Sequence, residues 1–475
     1  MDMTMPPASG RPRRSAAAPR LIAAAARGRV PWAPRIGGAG GMILYAARGR
    51  WPDRRRYQPR HFAMLAEAFA PGQVRWAEQL SELPRGGWAL VIHALNGFAF
   101  DPRLAARHAG GRYVFAALSG QERRALERRD GVLVLDLDWD PLAPSEEIVA
   151  GLIGSIDRFG LDPARIRLLH SNQAARGPFE AHWRRLTDRP PLRTLEFPTS
   201  FALAVAYHHA RRNEEAMAAR LERARAALHS GARGKLFNSF NGGLRAQRLH
   251  LVAWLHHVRL LERGHVSMLG YRKGPRWLTR LKRGASKGPP VELRASLEKM
   301  PLADETAESL LEVWRRLPLT LDLERDFRDH GYERVVWESP DPRYYDDSWF
   351  SAVVESHADA LDMLHITEKA AKPILNAHPF LALGSQNAMA QLRAYGFESF
   401  APQFDERFDA WPWPKERMRR FMKEIRRLGS LEPDHLRELC IELWPRCEHN
   451  YRHFFGGAHQ RLGEAFRRDV LDQLV

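Results

Sequence analysis

Short apolar runs rich in branched and aromatic side chains recur along the chain, and segments of helical periodicity separate them. In the first half, residues 88–96, 131–140, 165–171 and 193–197 read as strands. Residues 61–69, 121–129 and 145–159 read as helices, the last opened by Ser145 with Glu146 and Glu147 behind it. Period two carries Asp136, Asp138 and Asp140 onto one face of the strand at 131–140. Residues 202–229 read as one long Ala/Arg/Glu-rich helix that stops at the Gly-containing break at 230–234. The second half repeats the alternation. Strands are expected at 235–241, 265–269, 349–355 and 379–384, with helices at 244–263, at 310–316 and from Thr367 onward. Terminal helices follow at 415–428 and 433–474. Strands alternating with helices predict parallel sheets covered on both faces, an α/β fold. The expected units are 60–229 and 230–414, preceded by a disordered basic extension over 1–59 and followed by helices over 415–475.

Charge changes this picture in one place. Residues 1–60 hold thirteen arginines against Asp2 and Asp53, a net +11 of the chain's +17. The basic character therefore belongs to the extension rather than to the fold. Its functional reading is attraction to anionic lipid or nucleic acid; its plainer reading is an Arg/Ala/Pro-rich disordered segment. Two cysteines exclude a disulfide framework and predict a reducing compartment. The expected location is the cytoplasm, at most peripheral to the inner face of a membrane.

Candidate chemistry sits where strands end. Glu355 closes the strand at 349–355, and Thr367 caps a helix with Glu368 and Lys369 in its first turn. A lysine there opposes the helix dipole, a conflict that a bound phosphate would resolve. After the strand at 235–241, Gly242 and Gly243 allow close backbone approach, and Arg245 and Arg248 offer oxyanion contacts. Arg245 is the favoured contact; the alternative is a solvated basic face formed by Arg245, Arg248 and Arg259. His378 reads as a satisfied loop histidine, and Phe404-Asp405-Glu406 as an acidic patch. Cys440, Cys447, His449, His453 and His459 have spacings that match no zinc signature, so no metal site is expected. Dinucleotide, P-loop and nucleophile-elbow motifs are missing from the sequence, which disfavours dehydrogenase, NTPase and hydrolase readings.

The block at 349–400 carries a resemblance. Glu355 ends a strand, His365-Ile366-Thr367-Glu368-Lys369 opens a helix, and residues 379–384 form the next strand. This order resembles the nucleotide-sugar-binding half of GT-B glycosyltransferases, of the α1,3-fucosyltransferase type and its exostosin-like bacterial and phage relatives. The resemblance implies two Rossmann-like domains facing each other across a cleft, with terminal helices crossing back to the first. It implies a donor site in which Glu368 binds the ribose, Lys369 the diphosphate, and Glu355 the base or sugar. His365 stands where the family usually has Tyr, and Gly242-Gly243-Leu244-Arg245 replaces a tighter basic run. The implied activity moves a sugar from a nucleotide-diphosphate sugar to a hydroxyl of a glycan, lipid-linked saccharide or protein, with inversion, without a metal or other cofactor and without a nucleic-acid partner. The base would come from the first domain, among His93, Asp136, Asp138, Asp140 and Glu146, with Asp138 or Asp140 favoured. The rival reading is a non-catalytic α/β scaffold that binds nucleic acid or another anionic polymer through the extension and residues 270–290.

Overall fold

The computed structural model describes residues 42–46, 60–93, 115, 118–137, 144–231, 233–242, 245–268, 306–317, 319, 321 and 341–474. Asp138, Asp140 and residues 270–290 lie outside them, as does the chain before residue 42. The described chain is mixed α/β, with ten strands in two sheets.

The first sheet contains β1 (Met42–Ala46), β2 (Val74–Ala77), β3 (Trp88–His93), β4 (Val132–Leu137), β5 (Ile166–His170) and β6 (Arg193–Glu196). Its order is β2-β1-β3-β4-β5-β6, and every pairing is parallel. Parallel strands need crossovers, and helices supply them: α1 (Arg60–Phe69), α2 (Gly120–Arg128), α3 (Glu146–Phe159) and α4 (Arg176–Leu186). Alternation divides the side chains between two cores. Leu44, Ala89, Val91, Val134 and Leu169 face a core with Phe62 and Leu65 of α1. Tyr45, Trp88, Leu90, Leu133, Leu135 and Leu168 face Leu126, Val149, Leu152 and Trp183 of α2, α3 and α4. Gly131 is required where it stands, because a Cβ there would lie 2.2 Å from the Trp88 ring. The Trp88 Nε1 donates to Arg129 O at 3.0 Å and holds that ring over the start of β4.

The second sheet contains β7 (Lys235–Asn241), β8 (Gly264–Met268), β9 (Ser348–Val354) and β10 (Phe380–Leu383), in the order β8-β7-β9-β10 and again all parallel. Its helices are α7 (Ala246–His257), α8 (Ala307–Arg316), α9 (Pro342–Asp346), α10 (Glu368–Ile374) and α11 (Ala388–Ala394). Each sheet therefore winds outward in both directions from its first strand. The direction reverses between β1 and β3, and between β7 and β9.

Several sequence expectations change. Residues 42–46, assigned by composition to the extension, form a strand inside the first sheet. The single helix at 202–229 is two: α5 (Thr199–His209) and α6 (Glu214–Ser230). α5 is buried almost throughout, whereas α6 buries one side. Asn213 separates them by capping α6, its Oδ1 accepting from Ala216 N at 2.9 Å. The helix at 244–263 stops at His257, just before Arg259 takes a left-handed φ of 59°. The helix at 433–474 breaks at Gly456 into α13 (Pro433–Phe455) and α14 (Gly457–Asp469), after α12 (Pro414–Gly429).

These terminal helices return to the first sheet. Phe466 of α14 lies 5.8 Å from Phe62 and 5.2 Å from Phe197, and Phe454 of α13 lies 6.2 Å from Phe201. One apolar core thereby runs from Leu44 to Leu383 through both sheets. No helix among the described residues is long and apolar enough to cross a membrane.

Leu44→Ala tests the place of β1. Its side chain is fully buried, so the expected loss is about 2–5 kcal/mol, read as a fall in the urea midpoint. An unchanged midpoint would put β1 outside the folded core.

Candidate functional site

In a parallel sheet all the C-terminal strand ends share one pole, and a reversal of winding leaves a crevice there. At the reversal between β7 and β9 the start of α7 lies on one side and the start of α10 on the other. The carbonyls where β9 ends find partners on α7. Arg248 donates to Val354 O through Nε at 3.3 Å and Nη2 at 3.2 Å. Gln247 Nε2 donates to Glu355 O at 3.3 Å and to Ser356 O at 2.9 Å. Arg248 is thus buried, not part of the solvated basic face that it was expected to share with Arg245 and Arg259. Arg245 is exposed at the N-cap of α7, with no side-chain capping bond.

Glu355, Thr367, Glu368 and Lys369 come together. The Glu355 backbone closes the β9–β10 ladder, its N–H bonding Leu383 O at 2.9 Å. Its buried carboxylate turns to Thr367, accepting from the backbone N at 3.2 Å and from the hydroxyl. Burial pushes the Glu355 carboxyl up, and the Lys369 charge and the Thr367 hydroxyl oppose that shift. Thr367 Oγ1 in turn accepts from Lys369 N and Lys369 Nζ, each at 3.2 Å. The ammonium also pairs with Glu368 Oε1 at 2.8 Å. Burial works against the Glu368 charge, but Lys369 and Lys372 outweigh it and hold the carboxyl at about 2. Two expectations are corrected by this network. The conflict between Lys369 and the helix dipole is settled by Glu368 and needs no anion. Glu355 braces the start of α10 with both oxygens instead of reaching outward.

Gly384 makes room for this arrangement. A Cβ at that position would lie 2.5 Å from the Ala388 Cβ at the head of α11. The next residue, Ser385, accepts from His365 N through Oγ at 3.1 Å.

The first sheet contributes a loop at the same pole. After β5, Asn172 donates to Asp362 O at 3.1 Å and accepts from Leu364 N at 2.9 Å. Gln173 N donates to Leu364 O at 2.8 Å, and the His365 Nδ1 meets Ser171 O at 3.3 Å. A carbonyl only accepts, so Nδ1 carries the proton and Nε2 is left with a lone pair. Burial and the neighbouring His357 press the His365 imidazolium down to about 3, so the ring is neutral. The loop at 171–173 and His365 therefore join the two sheets, a role that the sequence did not reveal. The signal was present in the polar run His170-Ser171-Asn172-Gln173 that closes a strand.

Several of the buried polar atoms without partners lie at these strand ends. They are Asn241 Oδ1 at the end of β7, Ser267 Oγ on β8, Gln247 Oε1 on α7, His170 Nδ1 at the end of β5 and Ser171 Oγ just after it. All five residues are buried, and such atoms normally have a partner, whether protein, water or ligand. Asp136 is fully buried on β4, beside residue 93 and Leu169 in register. Asp138 and Asp140 follow it outside the described residues. Glu146 is not part of this cluster; it pairs with Arg185 at 2.8 Å on the surface.

The remaining candidates are structural. His378 lies at the opposite pole, its Nδ1 2.9 Å from Ser351 Oγ and its Nε2 2.8 Å from Ser348 O, and burial lowers it to about 3. Asp405 chelates Arg407, and Glu406 accepts from Phe400 N at 2.8 Å. Asp409 caps α11, accepting from Met389 N and Ala390 N. Cys440 and Cys447 are buried free thiols on α13, and burial pushes Cys440 up to about 12. Two helical turns separate them, roughly 10 Å along the axis, too far for a disulfide. Among the described residues no three His, Cys, Asp or Glu side chains converge as a metal site would need.

Comparison with known proteins identifies no relative: no family model, no curated protein and no solved structure matches this chain.

Thr367→Val removes the hydroxyl that serves both Glu355 and Lys369 while keeping the side chain's shape. A loss of about 1–3 kcal/mol is expected, measured by chemical denaturation; a neutral outcome would remove Thr367 from the centre of the network. Glu406 gives a pH test, because burial raises its carboxyl from 4.5 to about 7. The fold favours its protonated form, so its contribution is complete below the unfolded value and is lost as pH rises through about 7. Glu406→Gln should flatten the decline in stability between acid and neutral pH by on the order of 1–3 kcal/mol. An unaltered stability–pH curve would show that Glu406 is not its source.

Proposed function

We propose that the protein is a glycosyltransferase of GT-B architecture whose second unit binds a nucleotide-diphosphate sugar. The observation that carries this reading is the cluster beside the reversal of strand order at β7 and β9, where Glu355, Thr367, Glu368 and Lys369 meet at the start of α10. Three further features support it. Both sheets wind in the doubly-wound manner that binds nucleotides at a reversal of strand order. The terminal helices cross back onto the first unit. Five buried polar atoms without partners, on Asn241, Ser267, Gln247, His170 and Ser171, lie at the same ends of the strands.

The chemistry follows from charge exchange. Without donor, Lys369 and Glu368 neutralise each other. A diphosphate draws the ammonium of Lys369 away, with Arg245 as a second cation, and the freed Glu368 carboxylate accepts hydrogen bonds from the ribose hydroxyls. Glu355 keeps Thr367, and with it the helix start, in position while this happens. Lys369 and Arg245 then offset the charge that grows on the leaving diphosphate, a task that preorganised cations perform well in a partly buried site. Asp138 or Asp140, beyond the end of β4, accepts the proton of the acceptor hydroxyl as the sugar transfers with inversion. The acceptor is a glycan, a lipid-linked saccharide or a protein hydroxyl. No metal takes part.

The test is the shift in melting temperature caused by UDP, GDP, CMP and dTDP, with and without EDTA, for the wild type and Lys369→Ala. One nucleotide should stabilise the wild type irrespective of EDTA, by about 2.7 kcal/mol at a hundredfold excess over its Kd. The variant should lose most of that gain. Indifference to all four nucleotides would withdraw the donor site and leave the scaffold reading in its place.

A further inference from the structure

Three of the five large apolar side chains exposed among the described residues lie together. Trp413 is 63% exposed, Leu361 54% and Trp411 39%. The buried guanidinium of Arg417 fixes them on one platform. Its Nη1 donates to Trp411 O at 2.7 Å and Pro412 O at 2.8 Å. Its Nη2 donates to Ala358 O at 3.0 Å and Ala360 O at 3.4 Å. Leu361 directly follows Ala360, so the leucine loop and the tryptophan loop are anchored on one cation.

The helix beside this platform is basic. α12 carries seven cations and two carboxylates, and one of the carboxylates, Glu424, is buried. Lys415, Arg419, Lys423 and Arg426 are exposed at spacings that form one stripe. Arg420 lies 4.2 Å over the Trp411 ring and links the aromatic pair to the first turns of the helix. The opposite face is committed to the core through Met418, Phe421, Ile425 and Leu428. The helix therefore cannot roll over, and only the loops and the cationic stripe are available to a partner.

We infer that this surface docks the protein onto an anionic lipid bilayer. Trp411, Trp413 and Leu361 enter the interfacial layer, and Lys415 and Lys423 meet the headgroup phosphates, while Arg419 and Arg420 are paired with Glu416. Tryptophan concentrates at the water–lipid boundary, and basic residues beside it add attraction to anionic headgroups. The leucine decides between lipid and polymer. A soluble polyanion would use the cations and the faces of the indole rings, whereas an exposed aliphatic side chain gains only from an apolar phase. The inference does not rest on the nucleotide-sugar reading. Where both hold, they favour a lipid-linked acceptor, because the Leu361 loop begins one residue after Glu355 and docking would bring the strand-end pole to the membrane.

The full-length chain is tested by cosedimentation with vesicles of phosphatidylcholine alone and of phosphatidylcholine mixed with phosphatidylglycerol. Residues 1–60 stay in every variant, so their own attraction is constant. The Leu361→Ser/Trp413→Ser variant should keep its melting temperature and lose about tenfold in partition to the mixed vesicles. Lys415→Glu/Lys423→Glu should lose roughly fivefold for each cation removed. Two results would overturn the proposal. One is wild-type partition by both variants, which would assign all binding to the basic extension. The other is failure of the wild type to bind the mixed vesicles. Complete displacement by inorganic polyphosphate, with the apolar variant binding as well as the wild type, would identify a polymer surface and overturn the lipid assignment too.

Discussion

Every strand in both sheets runs parallel to its neighbours, and that constraint shapes the rest of the molecule. Parallel pairing forces a helix or long crossover between successive strands and delivers all the outgoing loops at one pole. The last carbonyls of a central strand then have no ladder partner, and leaving them buried without one would cost about 1–3 kcal/mol each. At the end of β9 the solution is side chains from α7: Arg248 on Val354 O, Gln247 on Glu355 O and Ser356 O. After β5 the next unit supplies one, His365 Nδ1 donating to Ser171 O, while Asn172 and Gln173 in return bind the backbone of Asp362 and Leu364. Satisfying strand ends and joining the two sheets are thus one structural act.

The two ends of β9 are treated differently. At its start, Ser348, Ser351 and His378 form a closed set in which a neutral imidazole has a partner on each nitrogen. At its finish, buried oxygens such as Asn241 Oδ1 and Gln247 Oε1 have none, and an ammonium and a carboxylate meet at the start of α10. A closed polar set rigidifies; an incomplete one has spare capacity for a ligand. Residue type alone does not separate the structural histidine from the candidate site, since His365 and His378 are both buried and both neutral.

Much of this was legible from residue order. The strand at 235–241, the strand ending at Glu355 and the capping role of Thr367 are local: each depends on a run of apolar residues or on one hydroxyl placed before a helix. The misreadings have tertiary causes. Residues 42–46 are too short a run to stand out beside the arginines around them, and only pairing with β2 and β3 makes them a strand. α5 and α6 looked continuous because both are rich in helix formers, and the separation lies in a single cap at Asn213. Arg248 carries the same charge as Arg245, but its position in the first turn of α7 aims it at a carbonyl 106 residues away in sequence. Glu355 was correctly seen as a buried strand end, yet the partner it would choose, Thr367, depended on how the intervening loop folds back.

The ring of Phe466 covers Phe62, Phe69 and Phe197. During synthesis that cover arrives late. At typical elongation rates the ribosome needs on the order of tens of seconds to pass from Phe197 to Phe466, and for that interval the first sheet has an aromatic face open to water. The nascent chain thus has a sizeable window in which chaperone capture competes with self-association, and any premature stop before α14 would leave that window permanently open.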